Sequence, residues 1–114
     1  SMVQNCHNHP AIFGWAIGNE LNLGRGYQTE VWDFVEELKN LVHQTEAPNW
    51  HPVSSPVADG SQIFEIIAAE SNAVDIWMTQ VYRGQNFGHF WASYASASTK
   101  PMLITEYGVD SYCG

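Results

Sequence analysis

Basic residues are few in this 114-residue chain: Arg25, Lys39, Arg83 and Lys100 stand against twelve Asp and Glu, for a formal net charge of −8. A surface so short of cations cannot neutralise a phosphate backbone, which excludes nucleic acid as a partner. An uncharged ligand is indifferent to that balance. Cysteine is scarcer still, and Cys6 and Cys113 make no disulfide framework. One precedes its strand and the other follows its own, so roughly 20 Å of extended chain separates them. A disulfide needs Cα atoms within about 7 Å, so none is expected between them. No apolar run approaches the roughly 18 residues of a membrane helix, which leaves no membrane partner. The N-terminus lacks the pattern of a secretory leader, and Ser1-Met2 has the form of a scar left by tag cleavage. Repeats and low-complexity tracts are missing too. Charged residues at 14% beside 45% hydrophobic exclude a disordered chain, and the length fits one domain.

What the chain does have is aromatics: five each of Trp, Tyr and Phe. Side chains of that kind fill a core or line a binding groove. Short apolar runs alternate with helical periodicity. Ala11–Ile17, bounded by Pro10 and Gly18, has the continuous apolar character of a strand buried on both faces. Val31, Phe34, Val35, Leu38, Leu41 and Val42 form one helical stripe, ended by Pro48 and Pro52, with acidic residues along its flanks. Glu30, Glu36, Glu37 and Glu46 read as its solvated face. A weak strand over Val53–Ala58 follows, then Asp59-Gly60-Ser61 as turn and N-cap of a helix through Ile63, Phe64, Ile66 and Ile67. Ile76–Tyr82 is a third strand, Phe87, Phe90, Trp91 and Tyr94 mark a third helix, and Met102–Thr105 is a fourth strand.

Such a β-α-β-α-β-α-β order predicts an α/β fold with a parallel sheet. A doubly wound sheet would carry a Gly-rich phosphate loop after its first strand. Here that strand runs into Gly18-Asn19-Glu20, and the last runs into Glu106-Tyr107-Gly108. Acidic residues at strand C-termini are the habit of (β/α)8 barrels, which need about 250 residues. The expectation is therefore about half of such a barrel, with four parallel strands, three helices, and Glu20 and Glu106 at one rim. Two carboxyl groups flanking a glycosidic bond hydrolyse it. About 5–5.5 Å between them supports a covalent, retaining mechanism, and about 6.5–9.5 Å supports inversion.

His9-Pro10-Ala11-Ile12-Phe13-Gly14-Trp15-Ala16-Ile17-Gly18-Asn19-Glu20 resembles the acid/base segment of glycoside hydrolase family 2 and its clan A relatives. Lys100-Pro101-Met102-Leu103-Ile104-Thr105-Glu106-Tyr107-Gly108 is similar to the family's nucleophile segment. The stretch Val74–Tyr82 resembles its sixth strand, so the likeness runs from the fourth strand to just past the seventh. The resemblance implies that Glu20 protonates the leaving oxygen and later activates water. It implies that Asn19 bonds the sugar 2-hydroxyl, that Glu106 attacks the anomeric carbon, and that Tyr82 holds the Glu106 carboxylate. One departure stands out: Gln80 lies where the family usually has Asn.

Other candidates are weaker. Tyr27, in the loop after Glu20, and Arg83, just beyond Tyr82, are expected to contact substrate; Tyr107 and Asp110 follow behind them. Cys6, His7 and His9 lack the spacing of a zinc site, and His9 is expected to bond backbone. His43, His51 and His89 are scattered and carry no assigned role. Trp15, Trp32, Trp77 and Trp91 read as core. The resulting expectation is a retaining hydrolase of β-linked glycans with no metal and no cofactor. A transglycosylase using the same carboxylates and a non-catalytic half-barrel unit are the alternatives. Two open strand edges would make the isolated chain a homo-oligomer.

Overall fold

Proline cannot donate a ladder hydrogen bond, and Pro52 and Pro56 bracket the segment on which this sheet is built. The computed structural model describes residues 1–60 and 62–109. β1 (Trp15–Ala16) runs parallel to β2 (Val53–Ser54), with Trp15 opposite Val53 and Ala16 opposite Ser54. Beyond Ser55-Pro56 the same strand resumes as β3 (Val57–Ala58), now paired in parallel with β4 (Trp77–Val81). β4 in turn pairs in parallel with β5 (Met102–Tyr107). Spatial order thus follows chain order, and every pair is parallel, as the alternating pattern predicted. The expected strand 53–58 is split because Pro56 has no N–H. Among the described residues the sheet does not close on itself.

The first strand is shorter than its apolar run. Ile12 N–H donates to His9 O in a turn, and Phe13 is exposed. β1 has its neighbour on one side only and that neighbour begins at Pro52, so 11–13 find no ladder. From there the match holds: the N–H groups of Trp15, Ile17 and Glu20 donate to Pro52 O, Ser54 O and Pro56 O at 2.9, 2.7 and 2.8 Å. That bonding carries the chain up to Glu20.

A short helix not anticipated from the periodicity, α1 (Met2–Cys6), opens the chain on a capping box made by Ser1 and Gln4. His9 Nδ1 accepts from Ala11 N–H at 3.2 Å, the backbone bond expected of it. α2 (Thr29–Glu46), α3 (Ile63–Ala69) and α4 (Phe90–Ala97) all pack on one side of the sheet. α4 begins three residues after Phe87 because Gly88, at φ 54°, is outside helical space. α3 has Gln62 at its N-cap with no side-chain bond, since Asp59 is turned to Arg83 instead; Ser61 lies outside the described residues. The core joins Trp32 and Val35 of α2, Ile63, Ile66 and Ile67 of α3, and Phe90 and Tyr94 of α4 to Val57, Trp77 and Val81. Trp32 and Trp77 meet edge to face at 5.7 Å. Burying side chains of this size is worth about 1.5–3 kcal/mol each. Trp15, Trp32 and Trp77 are core as expected, whereas Trp91 is half exposed against Phe87 and Phe90.

One acidic residue overturns its reading. Glu46 is not solvated but 2% exposed, at the end of α2 beneath β1. Its Oε1 accepts from the Trp15 indole at 2.8 Å and from His51 Nδ1 at 2.9 Å, and its Oε2 from His51 N–H at 2.7 Å. Beside it, Asp75 Oδ2 accepts from Val53 N–H at 2.8 Å and pairs with His43 Nε2 at 2.8 Å. These donors make burial of the carboxylates tolerable.

Register decides what the uncovered face of the sheet presents. Trp77, Met78 and Thr79 face Met102, Leu103 and Ile104, but Gln80 then pairs with Glu106. Thr105 is the extra residue of a β-bulge. Met102 and Ile104 pack on the helix-side core. Strict alternation would send Glu106 there too. The bulge turns it instead onto the open face, beside Gln80.

Candidate active site

Glu106 occupies the fifth position of β5, inside the ladder rather than after it. Both of its carboxylate oxygens are engaged: Gln80 Nε2 donates to Oε1 at 2.6 Å, and the Tyr82 hydroxyl donates to Oε2 at 2.8 Å. Gln80 is 2% exposed, and the same Nε2 also donates to Asn19 Oδ1 at 2.6 Å. One buried amide therefore ties the loop after β1 to β5 across β4. Two charge-assisted hydrogen bonds on a carboxylate fix its orientation.

Glu20 comes to the same end of the sheet by another route. Gly18, at φ 69°, turns the chain out of β1, and Glu20 itself sits at φ 50°, ψ 38°. A non-glycine residue in the left-handed region costs about 1 kcal/mol or more, and such outliers gather at functional sites. The surrounding contacts over-determine it. Glu20 N–H is held by Pro56 O, and Leu21–Leu23 forms a 3₁₀ turn directly after it. Asn22 then accepts from Ala58 N–H at 2.8 Å and donates to Ala58 O at 2.8 Å, so its amide substitutes for a strand beside β3. Asn22's part is not legible in the sequence, since an Asn in a loop has many uses. The Glu20 side chain is half-buried.

Of the residues expected at the site, Asn19, Tyr82 and Glu106 are joined in one hydrogen-bonded chain. Tyr27 is not part of it. It is exposed on the helix side, lining a depression of about 380 Å³ with Gln62, Glu65 and Glu70. Arg83 is committed elsewhere: Nε and Nη2 both bond the Asp59 carboxylate, and the guanidinium lies 5.3 Å from the Phe90 ring centre. The Asp59 bond raises the Arg83 pKa above its already high ordinary value. With Phe87, Tyr107 and Gly108, Arg83 also borders a cavity of about 420 Å³. Asp110 and Cys113 lie outside the described residues. Among the described residues no three His, Cys, Asp or Glu side chains converge as metal ligands would.

Polar side chains gathered at the C-terminal ends of parallel strands, with helices on the opposite face, are the arrangement of an α/β-barrel domain. The chain belongs to the glycosyl hydrolases family 2: the sequence model of that family's TIM barrel domain matches residues 1–114. No curated protein and no solved structure matches the chain significantly.

Proposed function

We propose that this chain carries the two catalytic carboxylates of a retaining glycoside hydrolase acting on β-linked glycans. The observation that supports this best is the bracing of Glu106 by Tyr82 and Gln80, with Asn19 on the same amide. A carboxylate whose lone pairs meet two donors is oriented as a nucleophile must be. In the first step a Glu106 oxygen bonds the anomeric carbon as the glycosidic C–O bond breaks, and Glu20 gives its proton to the leaving oxygen. In the second step Glu20 takes a proton from water. The resulting hydroxide oxygen bonds the anomeric carbon and releases Glu106. Asn19 holds the sugar 2-hydroxyl throughout.

The sheet reads as half of a (β/α)8 barrel, with β1 and β5 as open edges and the face opposite the helices bare. Positioning of the sugar needs the rest of the barrel wall, so the activity belongs to the complete barrel. Alone, the chain should self-associate through those edges. Phe13, Phe34, Leu41 and Leu103 are exposed apolar groups available to such a contact. Light scattering across a dilution series measures this; a monomer at micromolar concentration rules it out.

Mechanism is tested with 2,4-dinitrophenyl 2-deoxy-2-fluoro-β-glycosides of galactose, glucose, mannose and glucuronic acid. These are incubated with the natural chain that carries these residues. Peptide mapping by mass spectrometry should find one glycosyl adduct, on Glu106, and none in Glu106→Gln. An adduct on Glu20, or product of inverted anomeric configuration from an ordinary substrate, overturns the assignment.

A further inference from the structure

Gln80 is buried between two acceptors and has one polar atom left over. Its Nε2 donates to both Glu106 Oε1 and Asn19 Oδ1 at 2.6 Å, and its own Oε1 is buried with no partner among the described residues. The orientation of this amide is forced. An ionised carboxylate only accepts, so the NH₂ end of Gln80 must face Glu106. Reversing it would set carbonyl against carboxylate and cost far more than the orphaned Oε1 does. Once Gln80 presents its NH₂ group, Asn19 must answer with its carbonyl, because a flipped Asn19 would oppose donor to donor. The NH₂ group of Asn19, an exposed residue at the rim, therefore looks away from Gln80.

We infer that Gln80 is a positioning residue: one buried amide, oriented by the Glu106 carboxylate, makes Asn19 a hydrogen-bond donor toward the substrate and steadies Glu106 at the same time. This rests on the carboxylate centre proposed above. The side chain's length suits the task. From β4 its amide reaches both β5 and the loop after β1, with one methylene more than the Asn that resembling sequences usually carry here. The departure from the family pattern and the double contact are thus one feature.

The test uses the natural chain carrying these residues, with aryl β-glycosides and their 2-deoxy counterparts as probes. Gln80→Met, near in volume and without donors, should lower kcat/KM by about 10–100-fold while leaving the circular dichroism spectrum unchanged. It should also shrink the preference for the 2-hydroxy over the 2-deoxy substrate, and it should add little to Asn19→Ala when the two are combined. Gln80→Glu keeps the shape but sets a second carboxylate against Glu106. It should move the acidic limb of the pH–rate profile upward, because two adjacent carboxylates cannot both ionise freely. Unchanged kcat/KM and 2-hydroxyl preference in Gln80→Met, or an unmoved acidic limb in Gln80→Glu, overturns the inference. Should Gln80→Met fail to fold, the unsubstituted protein still decides. Its Gln80 side-chain NH₂ signals in ¹H–¹⁵N spectra should exchange slowly with D₂O, and rapid exchange overturns the idea. Glu106→Gln in the same assay separates the two layers. If it stays active the carboxylate centre itself is wrong; if it is dead while the Gln80 variants are normal, only the positioning role falls.

Discussion

At the base of the sheet Glu46 accepts from Trp15 and twice from His51; at the opposite end Glu106 accepts from Gln80 and Tyr82. Both carboxylates are held by preplaced donors on neighbouring segments. They differ in what surrounds them. Glu46 is sealed at 2% exposed, whereas Glu106 is exposed on the open face of the sheet. The same local chemistry serves as a bolt where it is dry and complete. Where one side is left to solvent, it holds the carboxylate proposed as the nucleophile. Position along the strands, not the number of hydrogen bonds, separates the two uses.

Substitution should divide the two ends cleanly. Glu106→Gln is expected to reduce kcat/KM of the complete barrel by about 10⁴-fold or more with almost no change in Tm, measured by steady-state kinetics and calorimetry on one preparation. Glu46→Ala should do the reverse. It orphans the Trp15 indole and two His51 donors, and should cost about 3 kcal/mol of stability in urea unfolding. A Glu46→Ala protein as stable as its parent would erase the contrast.

Acid sharpens the same comparison. Burial alone would push the Glu46 carboxyl up, but the His51 backbone N–H, the His51 ring and the Trp15 indole outweigh it and hold it below its ordinary value of 4.5. A carboxyl depressed by folding contributes stability above its unfolded value, and that contribution is lost as pH falls through the folded one. Stability should therefore decline on acidification below about pH 4.5. Glu46→Gln should flatten that part of the curve, as denaturant midpoints between pH 6 and pH 3 will show.

The smallest effect on stability belongs to Glu20. Asn tolerates the left-handed region better than Glu, so Glu20→Asn should stabilise the fold by about 0.5 kcal/mol while removing the proposed acid/base. A destabilised Glu20→Asn would mean that the side chain makes a contribution its half-buried surroundings do not suggest.

Much of this is legible in the sequence. The order of strands and helices followed from apolar periodicity, because one core on one side of a parallel sheet demands it. Asn19, Tyr82 and Glu106 stand at motif positions in the sequence, and a hydrogen-bonded chain running through Gln80 links them. Among the features that were not readable, three depend on neighbours distant along the chain. The break at Ser55-Pro56 depends on which neighbour needs the missing N–H, and a sequence does not say who the neighbours are. The burial of Glu46 depends on the Trp15 indole arriving from β1, while helical periodicity sorts only the faces of α2. Gln80 could be seen as a departure from pattern. Its two partners come from segments far away on either side along the chain, so its meaning appears only when β4 lies between them.

The bulge at Thr105 makes the site depend on arithmetic along the chain as well as on chemistry. Residues before it and after it are in different frames relative to β4. Gain of a single residue between Met102 and Thr105, with the bulge kept, would leave the composition of β5 nearly unaltered and point Glu106 into the helix layer. No choice of side chain at position 106 could repair that.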